Sequence, residues 1–346
     1  MSRRGFVDDK IGLKHGAGGR AMRALIEQVC LAGLGAAPPA DGIGLASMDD
    51  GAAIRVGDRW LVLTTDSHVV HPIFFPGGDI GRLAVSGTVN DLAVMGATEV
   101  TALTCALIIE EGFPRAQLER VYASIRAACE EAGAAIVTGD TKVMGRGEID
   151  GLVLNTAGVG FCERPVPDSG LAPGDAIIVT GTIGDHGMAI MAARHALALD
   201  GDLRSDVAPI NGLVRAALQA GGDGIVAMKD PTRGGLSSAL HEMAQKSRVG
   251  ILIEESSVPV RTDVRGASDL LGIDPLVMAS EGKAVIGVRA GAADAVLEAV
   301  RAHPLGRDAA RVGRCIEQHA GAVILDTGFG RRILAEPEGE PLPRIC

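Results

Sequence analysis

Aspartates in five short segments of this 346-residue chain stand beside glycine or directly after an apolar run. They are Asp49 and Asp50 in MDDGAAI, Asp66 after LVLTT, Asp91 in VNDLAVMGA, Asp140 in VTGDTK, and Asp230 in KDPTRGG. A carboxylate at a strand end projects from the edge of an αβ sheet, where ligands collect. Carboxylates that converge there repel one another unless a hard cation separates them, and Mg²⁺ is held by few carboxylates plus substrate phosphates. The pattern predicts a magnesium–phosphate site, although any one of these aspartates alone is more often a cap or a turn former.

A glycine-rich segment near the start of the chain could bind phosphate. KHGAGGR, residues 14–20, places Lys14, Gly18 and Gly19 just before a predicted helix. A helix N-terminus accepts anions through its free N–H groups. The segment lacks the Lys-Ser/Thr ending of a Walker loop, so it is a weak signal by itself.

A second glycine-rich segment, DPTRGGL at residues 230–236, has a similar composition. Thr232 and Arg233 could bind phosphate oxygens, and Gly234 and Gly235 would allow close approach of the backbone. The same residues are equally consistent with a simple capped helix start.

Two further side chains have neighbours that can tune them. Lys142 follows Gly139-Asp140-Thr141, and Glu281 lies in MASEGKAV just before a predicted strand. A lysine beside a bound nucleotide can clamp charge or carry a proton, and a glutamate in a closed site can act as a base. Without further context, a surface charge is the alternative interpretation of each residue.

The last residue of the chain, Cys346, ends the proline-rich sequence EPEGEPLPRIC. A thiolate is a nucleophile and can carry an acyl group, so this is a reactive group on a mobile arm, unless it is an incidental free cysteine. The other cysteines are expected to be buried thiols, because they lie in or beside apolar segments and form no CxxC pair. They are Cys30, Cys105, Cys129, Cys162 and Cys315.

Composition excludes several classes of protein. Hydrophobic residues make up 47% and charged residues 22%, which is ordinary for a globular protein. Aromatic residues make up only 2% and the net charge is −10, so neither a base-stacking surface nor a basic field for nucleic acid is expected. No apolar run approaches the roughly 20 residues of a membrane helix, and the charged start does not read as a signal peptide. We expect a cytoplasmic protein.

Apolar periodicity and capping residues predict an alternation of helices and strands. The predicted helices are Arg20–Leu31, Asp79–Val94, Arg115–Ala132, Met188–Ala198, Val207–Ala220, Gly235–Ser247 and Ala292–Ala302. The predicted strands are Trp60–Thr65, Thr101–Ile109, Ala135–Thr138, Leu152–Val159, Ala176–Thr180, Gly250–Glu254, Ala284–Arg289 and Ala322–Leu325.

A proline- and glycine-rich segment, CERPVPDSGLAPGD at residues 162–175, is the predicted domain boundary. The chain then divides into a glycine-rich segment with a helix, a first αβ domain, a second αβ domain and a flexible tail that carries Cys346. Their predicted bounds are 1–40, 41–162, 163–335 and 336–346.

The chain resembles the HypE family of hydrogenase maturation factors, which are carbamoyl dehydratases. Their superfamily includes aminoimidazole ribonucleotide synthetase, selenophosphate synthetase and thiamine-monophosphate kinase. The resemblance covers nearly the whole chain and rests on KHGAGG, MDDGAAI, TTDSHVV, NDLAVMGA, VTGDTKVM, GTIGDHGMAI, MKDPTRGGL, SEGKAV and the terminal PRIC. It implies a two-domain α+β/αβ synthetase-superfamily fold. The N-terminal domain would form a barrel-like sheet with its copy in a homodimer, and the C-terminal domain would be an αβ sandwich with a flexible tail.

The resemblance also implies a reaction. Cys346 would receive a carbamoyl group from a carbamoyltransferase partner, and ATP would phosphorylate the carbamoyl oxygen. Loss of phosphate and of the nitrogen protons would leave a thiocyanate, whose cyanide passes to iron on a scaffold complex of hydrogenase maturation. The chemistry is coherent, because an amide oxygen is a poor leaving group until it is phosphorylated.

The matching positions assign residues to this reaction. Lys142 and Glu281 would remove protons. Mg²⁺ would be held by Asp50, Asp66, Asp91, Asp140 and Asp230. ATP would be bound by Lys14, Gly18, Gly19, Asp49, Asp50, Asp66, Asn90, Asp91, Gly139, Asp140, Thr141, Thr232, Arg233, Gly234 and Gly235.

Three alternatives share part of the evidence. An ATP-dependent synthetase or a small-molecule kinase of the same superfamily would use the aspartates but would have no need of the tail cysteine. A non-enzymatic scaffold that docks partners through its tail would not turn over ATP. Only the dehydratase removes one water from a group on Cys346.

Overall fold

The computed structural model describes residues 8–16, 18–34, 41–195, 197, 201–337 and 345. Among the described residues before 163 there are four α-helices and seven strands, and the first helix continues with π-helical hydrogen bonding over Ile26–Leu31. In chain order these elements are α1 (Gly19–Leu25), α2 (Ala32–Leu34), β1 (Ala52–Val56), β2 (Arg59–His68), β3 (Phe74–Phe75), β4 (Gly78–Asp79), α3 (Ile80–Val94), β5 (Val100–Glu110), α4 (Arg115–Ala132), β6 (Ile136–Met144) and β7 (Leu152–Cys162).

Five of these strands form one sheet in the order β1-β2-β7-β5-β6, with β5 and β6 parallel and the other neighbours antiparallel. Strand β7 alternates strictly between buried and half-buried positions, as a strand does when helices cover one face of its sheet. Helix α3 packs on β2, β7 and α4 and is buried along almost its whole length. Strand β6 is exposed at every position after its first, so the sheet ends in an uncovered edge.

The remaining chain forms a second αβ unit. Its elements are β8 (Ala176–Val179), α5 (Asp185–Arg194), α6 (Asn211–Gly221), β9 (Ile225–Lys229), α7 (Gly235–Ser247), β10 (Gly250–Glu254), α8 (Thr262–Leu271), β11 (Val285–Val288), α9 (Ala293–Ala302), β12 (Ala310–Ile316), β13 (Val323–Asp326) and β14 (Arg331–Ile333). The seven strands pair in the order β14-β13-β10-β12-β8-β11-β9.

Both faces of this second sheet are covered. Successive residues of β8 point to opposite faces. Ile177 and Val179 join the apolar cluster that includes α7, whereas Ala176 and Ile178 join the cluster of α6 and α9. The unit is therefore a sandwich of helices around a mixed sheet, as expected from its sequence.

Three of the five aspartate segments do not lie in loops or at strand ends. Strand β2 continues through Asp66 to His68. Strand β6 continues through Gly139 and Asp140 to Met144, although it was predicted to end before the glycine. Asp91 lies inside α3, where the chain continues as helix to Val94. The expected strand-end position was wrong for Asp66 and Asp140, whereas Asp91 lies in the helix that was predicted over Asp79–Val94.

Candidate functional site

A cavity of about 480 Å³ lies between the two αβ units. Apolar side chains of the N-terminal segment and α7 form part of its wall: Met22, Ile26, Leu45, Met48 and Ala239. The predicted site residues on its wall are Gly18, Gly19, Asp49, Asp50, Asp66, Asp91, Asp230, Thr232, Arg233, Gly235 and Glu281. A single pocket thus combines apolar surface, glycine backbone and a concentration of carboxylates.

The two glycine-rich segments meet at this cavity. Gly18 has φ +79°, and a Cβ on it would lie 2.9 Å from the carbonyl oxygen of Arg233. Gly235, the first residue of α7, has φ +61° and approaches the backbone of Met278 equally closely. Positive φ and these close approaches require glycine. The starts of α1 and α7 therefore lie at neighbouring points, an arrangement suited to phosphate, although the N–H groups of Arg20 and Gly235 are bonded to the carbonyl oxygens of Pro337 and Thr232.

Buried carboxylates at the cavity repel one another. Burial raises the pKa of Asp91 well above its ordinary value, and the charges of Asp230, Asp66 and Asp50 raise it further. Burial and the charge of Asp50 likewise raise the pKa of Asp230. Burial, followed by the charges of Asp230 and Asp66, raises the pKa of Glu281. Without a cation, these groups retain protons at pH values where exposed carboxyls are ionised.

The same carboxylates have unused hydrogen-bonding capacity. Asp230 Oδ2 and Glu281 Oε1 are buried and have no hydrogen-bond partner in the structure. Within the described ranges, no three histidine, cysteine or acidic side chains already stand in a metal-binding arrangement. The donor set of hard oxygens with unsatisfied buried atoms nevertheless fits Mg²⁺.

Lys229, the last residue of β9, supplies positive charge at the base of the cavity. Its Nζ pairs with Asp50 and lies 3.2 Å from Glu242 Oε2 and 3.7 Å from Asp168 Oδ2. Although burial lowers the pKa of Lys229, the carboxylates of Asp50, Glu242 and Asp168 raise it well above its ordinary value. The side chain is therefore a fixed ammonium ion among acids.

Lys246 on α7 extends this network. Its Nζ lies 2.5 Å from Asp168 Oδ2 and 3.6 Å from Asp49 Oδ1, and it donates to the carbonyl oxygen of Met48 at 2.6 Å. Asp49, predicted to bind the cofactor, is thus held by α7 of the second unit. Lys246 and Asp49 both lie on the cavity wall, where their contact joins the two units.

Two predicted site residues near the cavity have other partners. Lys14 Nζ pairs with Asp8 Oδ2 at 2.6 Å and is not on the cavity wall. Asn90 is buried in α3, where its Nδ2 donates to the carbonyl oxygens of Ala208 and Glu281, both at 3.1 Å. Its Oδ1 accepts from Ile210 N–H at 2.8 Å, so the amide ties the first unit to the chain around Glu281.

Gly139, Asp140, Thr141 and Lys142 lie on β6, away from the cavity wall, and Gly234 precedes α7 without lining the cavity. Across the sheet, Asp140 pairs with Ala106, Ala106 with Asn155, and Asn155 with Ser67. Asp66 precedes Ser67 on β2 and is therefore one residue away from this row of paired residues. Because successive residues of a strand face opposite sides, Asp140 and Asp66 project from opposite faces of the sheet. The side chain of Lys142 is 66% exposed. In the described part of the chain, its one ion pair is with Asp140.

The beginning of the predicted tail is anchored beside the glycine-rich loop. The N–H of Arg20 donates to the carbonyl oxygen of Pro337 at 3.3 Å, and Ser237 Oγ donates to the carbonyl oxygen of Ala335 at 2.9 Å. Arg23 on α1 pairs with Glu336 at 2.6 Å. Cys346 lies outside the described residues.

The other end of the tail is represented by Ile345, which is only 1% exposed. Its carbonyl oxygen lies 2.9 Å from His186 Nε2, and His186 makes an edge-to-face ring contact with Phe75 at 5.4 Å. Both ends of the tail are therefore in contact with the body of the protein.

Four of the five other cysteines are buried, as expected. The expectation was wrong for Cys30, which is exposed because it lies beyond Ile26, where the part of the N-terminal helix that lines the cavity ends. None of the helices in the described part of the chain is long and apolar enough to span a membrane.

Several residues at the site were not expected from sequence: Lys229, Glu242, Lys246, Asp168 and His186. Lys229 stands beside Asp230 in MKDPTRGG, and His186 lies in GTIGDHGMAI, so both belong to motifs that carry the family resemblance. Their burial follows only from the packing of the second sheet. A lysine or a histidine in a glycine-containing segment otherwise suggests a surface position.

Two family models together match most of the chain. Residues 48–162 match the N-terminal domain of the AIR synthase related proteins, and residues 172–326 match the C-terminal domain. The expected two-domain synthetase-superfamily fold is confirmed.

Individual proteins are similar over almost the full length. The carbamoyl dehydratase HypE of Rhizobium leguminosarum bv. viciae is 46% identical over 98% of this chain and 96% of its own. The solved structure of a HypE–HypF complex matches with a TM-score of 0.84 and 42% identity, over 91% of this chain and 100% of that one. A HypE structure in complex with ATP matches with a TM-score of 0.80 and 40% identity, over 97% and 100% of the two chains.

Proposed function

This chain belongs to the HypE family of hydrogenase maturation proteins, and we propose that it dehydrates a carbamoyl group carried by its own Cys346, at the expense of ATP. The observation that supports this most directly is the position of Ile345. The residue next to the terminal cysteine is buried against the second αβ unit, and Asp206 of that unit accepts a hydrogen bond from the N–H of Glu281 at 3.1 Å. His186, Ser205 and Asp206 therefore connect the tail end to the backbone of Glu281 on the cavity wall.

The proposed reaction has two steps. The carbamoyl oxygen attacks the γ-phosphorus of ATP, and ADP leaves. The C–O bond then breaks, phosphate departs with the bonding electrons, and the two protons on nitrogen are lost. The product is a thiocyanate on the cysteine sulfur, and the overall reaction removes the elements of one water.

ATP binding is supported by the nucleotide in the related HypE structure and by the cavity of this chain. We propose that Gly18, Gly19 and the N-terminus of α7 bind the phosphates, with Thr232 and Arg233 beside them. Mg²⁺ would be held by Asp50, Asp66, Asp91 and Asp230, whose mutual repulsion favours a cation. Bound there, it would neutralise the charge of the phosphates and carboxylates.

Glu281 is the proposed proton acceptor. It is 3% exposed, and its Oε1 has no partner. The raised pKa of Glu281 lets it hold a proton in the closed site, and neutralisation of the neighbouring aspartates would allow it to ionise and accept one from nitrogen. Asn90 would position Glu281 through its hydrogen bond to the backbone of that residue.

We propose that Asp140, Thr141 and Lys142 act in the site of a second copy of the chain. They lie on the exposed edge strand β6, and Asp140 faces away from its own cavity. The edge also exposes Val137 at 62% and Val143 at 69%, and an exposed apolar edge strand is a site for pairing. A homodimer would cover this edge and close the barrel-like sheet. Gly139 and Gly234 would complete the nucleotide loops, and Lys14 would reach phosphate after release from Asp8.

The partners follow from the chemistry. A carbamoyltransferase would load the thiol, which is supported by the related HypE–HypF complex. An iron-carrying scaffold complex would accept the cyanide. A cytoplasmic location is proposed because Cys346 must remain reduced, and thiols persist as such in that compartment.

The decisive experiment measures the mass of the tail peptide. The full-length protein is incubated with the carbamoyltransferase partner, carbamoyl phosphate and Mg·ATP, then digested. We expect a carbamoyl adduct on Cys346 that loses one water only when ATP is present. Cys346→Ala should keep Mg·ATP binding but carry no adduct, whereas Cys30→Ala, the matched change at an exposed cysteine, should react normally.

Each alternative predicts another result. A synthetase or kinase would turn over ATP after removal of residue 346, given its small-molecule substrate, and a scaffold would bind partners without ATP turnover. An adduct that never loses water, or one on a cysteine other than Cys346, would contradict the proposal.

A further inference from the structure

His186 on α5 contacts the tail with one ring nitrogen and the body of the protein with the other. Nε2 lies 2.9 Å from the carbonyl oxygen of Ile345, and Nδ1 lies 2.7 Å from Ser205 Oγ. The ring is fully buried and packs edge-on against Phe75. The proposed dehydration, as described above, does not use this histidine.

The hydrogen bonds define the tautomer of the ring. A carbonyl oxygen can only accept, so the proton must be on Nε2. Burial lowers the pKa of His186 and keeps the ring neutral, which makes Nδ1 an acceptor. Ser205 must therefore donate its hydroxyl proton to Nδ1, and Ser205 Oγ in turn accepts the N–H of Val207 at 3.1 Å. The backbone of one loop thereby orients the histidine toward the tail.

The same loop contacts the acidic cavity. Asp206, the neighbour of Ser205, accepts from the N–H of Glu281 at 3.1 Å and from Lys283 Nζ at 3.0 Å. Ser205, which orients His186 toward the tail, and Asp206, which binds the Glu281 backbone, are thus consecutive in the chain. A shift of this loop would move both together.

We propose that His186, oriented by Ser205, is a positioning residue for the tail: it binds the backbone carbonyl of Ile345 and so sets the approach of the cysteine to the cavity. The inference rests on the proposed dehydration for its purpose, although the binding of Ile345 can be tested independently. Recognition of a backbone carbonyl requires no particular side chain at that position. The side chain of Ile345 belongs to a buried apolar cluster that also includes Phe75, Met188 and Val207, so apolar packing must set the fit of residue 345.

The test uses the full-length chain with Cys30→Ser, so that the other described cysteines are buried and Cys346 is the reactive thiol. The alkylation rate of Cys346 by iodoacetamide reports on anchoring, and a single turnover of the carbamoylated protein reports on dehydration. His186→Leu should alkylate faster and dehydrate more slowly, each by roughly 5- to 100-fold, because the tail carbonyl loses its donor. The rate of carbamoyl loading, in which His186 has no proposed role, should stay within about twofold.

Two variants separate positioning from general damage. His186→Gln keeps an N–H donor and should restore part of both rates. His241→Gln changes another buried histidine, one that bonds the carbonyl oxygen of Ser237 and is absent from the cavity wall, and it should alter neither rate.

The outcomes are distinct. Equal alkylation rates for the Cys30→Ser protein and for His186→Leu in that background would overturn the inference, as would an equal effect of His241→Gln. Faster alkylation of His186→Leu, with no dehydration by any variant, would support the anchor and reject the proposed function instead.

Discussion

Lys229 and Asp50 form a buried ion pair at the base of the cavity, with side chains that are only 11% and 12% exposed. The ammonium group occupies part of the space among carboxylates that a divalent cation would otherwise neutralise. It does not neutralise all of them: the charge of Lys229 lowers the pKa of Asp230, but burial and Asp50 keep that pKa raised, and the pKa of Asp91 is raised as well. Lys229 thus provides one fixed positive charge, and neutralisation of the remaining carboxylates would require a bound cation.

Replacement of this lysine should destabilise the nucleotide-free protein. Lys229→Met leaves Asp50, Glu242 and Asp168 without their common cation, and breaking one side of a buried pair costs about 3–5 kcal/mol. Mg·ATP should recover part of the loss by binding to the folded state. Urea unfolding with and without Mg·ATP measures both effects; an unfolding free energy equal to that of the wild type would contradict the prediction.

Removal of one repelling charge should have opposite effects on stability and on binding. Asp91→Asn mimics the protonated carboxyl that burial and its acidic neighbours favour. The variant should be as stable as the wild type or about 1 kcal/mol more stable, yet bind Mg·ATP at least tenfold more weakly in calorimetry. The Asp140→Asn change, at an exposed position, should leave stability unchanged. Unaltered affinity in Asp91→Asn would place the cation elsewhere.

Mixed dimers can show whether Lys142 acts in the partner's site. Lys142→Ala and Glu281→Gln should each slow dehydration by roughly 10²–10⁴, the usual contribution of a positioned acid–base group, while ATP binding stays near normal. If Lys142 acts across the dimer, mixing and re-equilibrating the two inactive proteins creates one site with both residues intact. Single-turnover activity should return. Continued inactivity of verified heterodimers would instead place both residues in the site of one chain.

The exposed edge of the first sheet should be required for dimerisation. Val143→Lys places a charge on β6, where the wild-type valine is 69% exposed, and should give a monomer in light scattering at micromolar concentration. Leu270→Lys alters a comparably exposed residue on α8, 64% exposed, and should leave the dimer intact. A monomeric wild-type protein would remove the basis of this prediction.

Asp185 provides a pH test that is separate from the proposed metal ligands. Burial, with the charge of Asp206, raises the pKa of Asp185 to about 6, despite the opposing effects of Lys283, Thr182 and Arg261. The folded protein then binds more protons than the unfolded chain between pH 4 and 6, so this group makes the free energy of unfolding fall as pH rises through that interval.

The neutral variant should lack this contribution. The stability of Asp185→Asn relative to the wild type should therefore increase from pH 4 to pH 7 by an amount on the order of 2 kcal/mol. Urea titrations of both proteins at several pH values measure the difference. A pH-independent difference would show that Asp185 ionises normally.

The sequence predicted most accurately those elements whose ends are marked by residues within or beside them. Helix α4 was predicted with the bounds it has, Arg115–Ala132, because its apolar residues recur with helical spacing and Gly133 ends it with φ +66°. Helix α8 and strands β1, β9 and β12 were missed, as were the short strands β3, β4 and β14. Strand β12, ARVGRCI, carries two arginines and a glycine, and its place in the sheet comes from pairing with β8 and β10.

The site was predictable as a set of motifs, but its geometry was not. Eight glycines and aspartates predicted as site residues lie on the cavity wall, together with Thr232, Arg233 and Glu281. No local signal could show that Asp140 and Asp66 would face opposite sides of one sheet, since that depends on how four strands pair. The same applies to Lys229, whose burial depends on the packing of both units.

The two anchored ends of the tail limit how far the reactive cysteine can travel from its own cavity. Seven residues lie between Pro337, bonded at the glycine loop, and Ile345, and the eight Cα–Cα steps of an extended chain span at most roughly 28 Å. A group on so short a tether meets its own site at an effective concentration in the millimolar range. The cavity therefore needs little intrinsic affinity for the carbamoyl group. The protein would deliver one equivalent of cyanide for each loading, as a stoichiometric carrier rather than a source of free product.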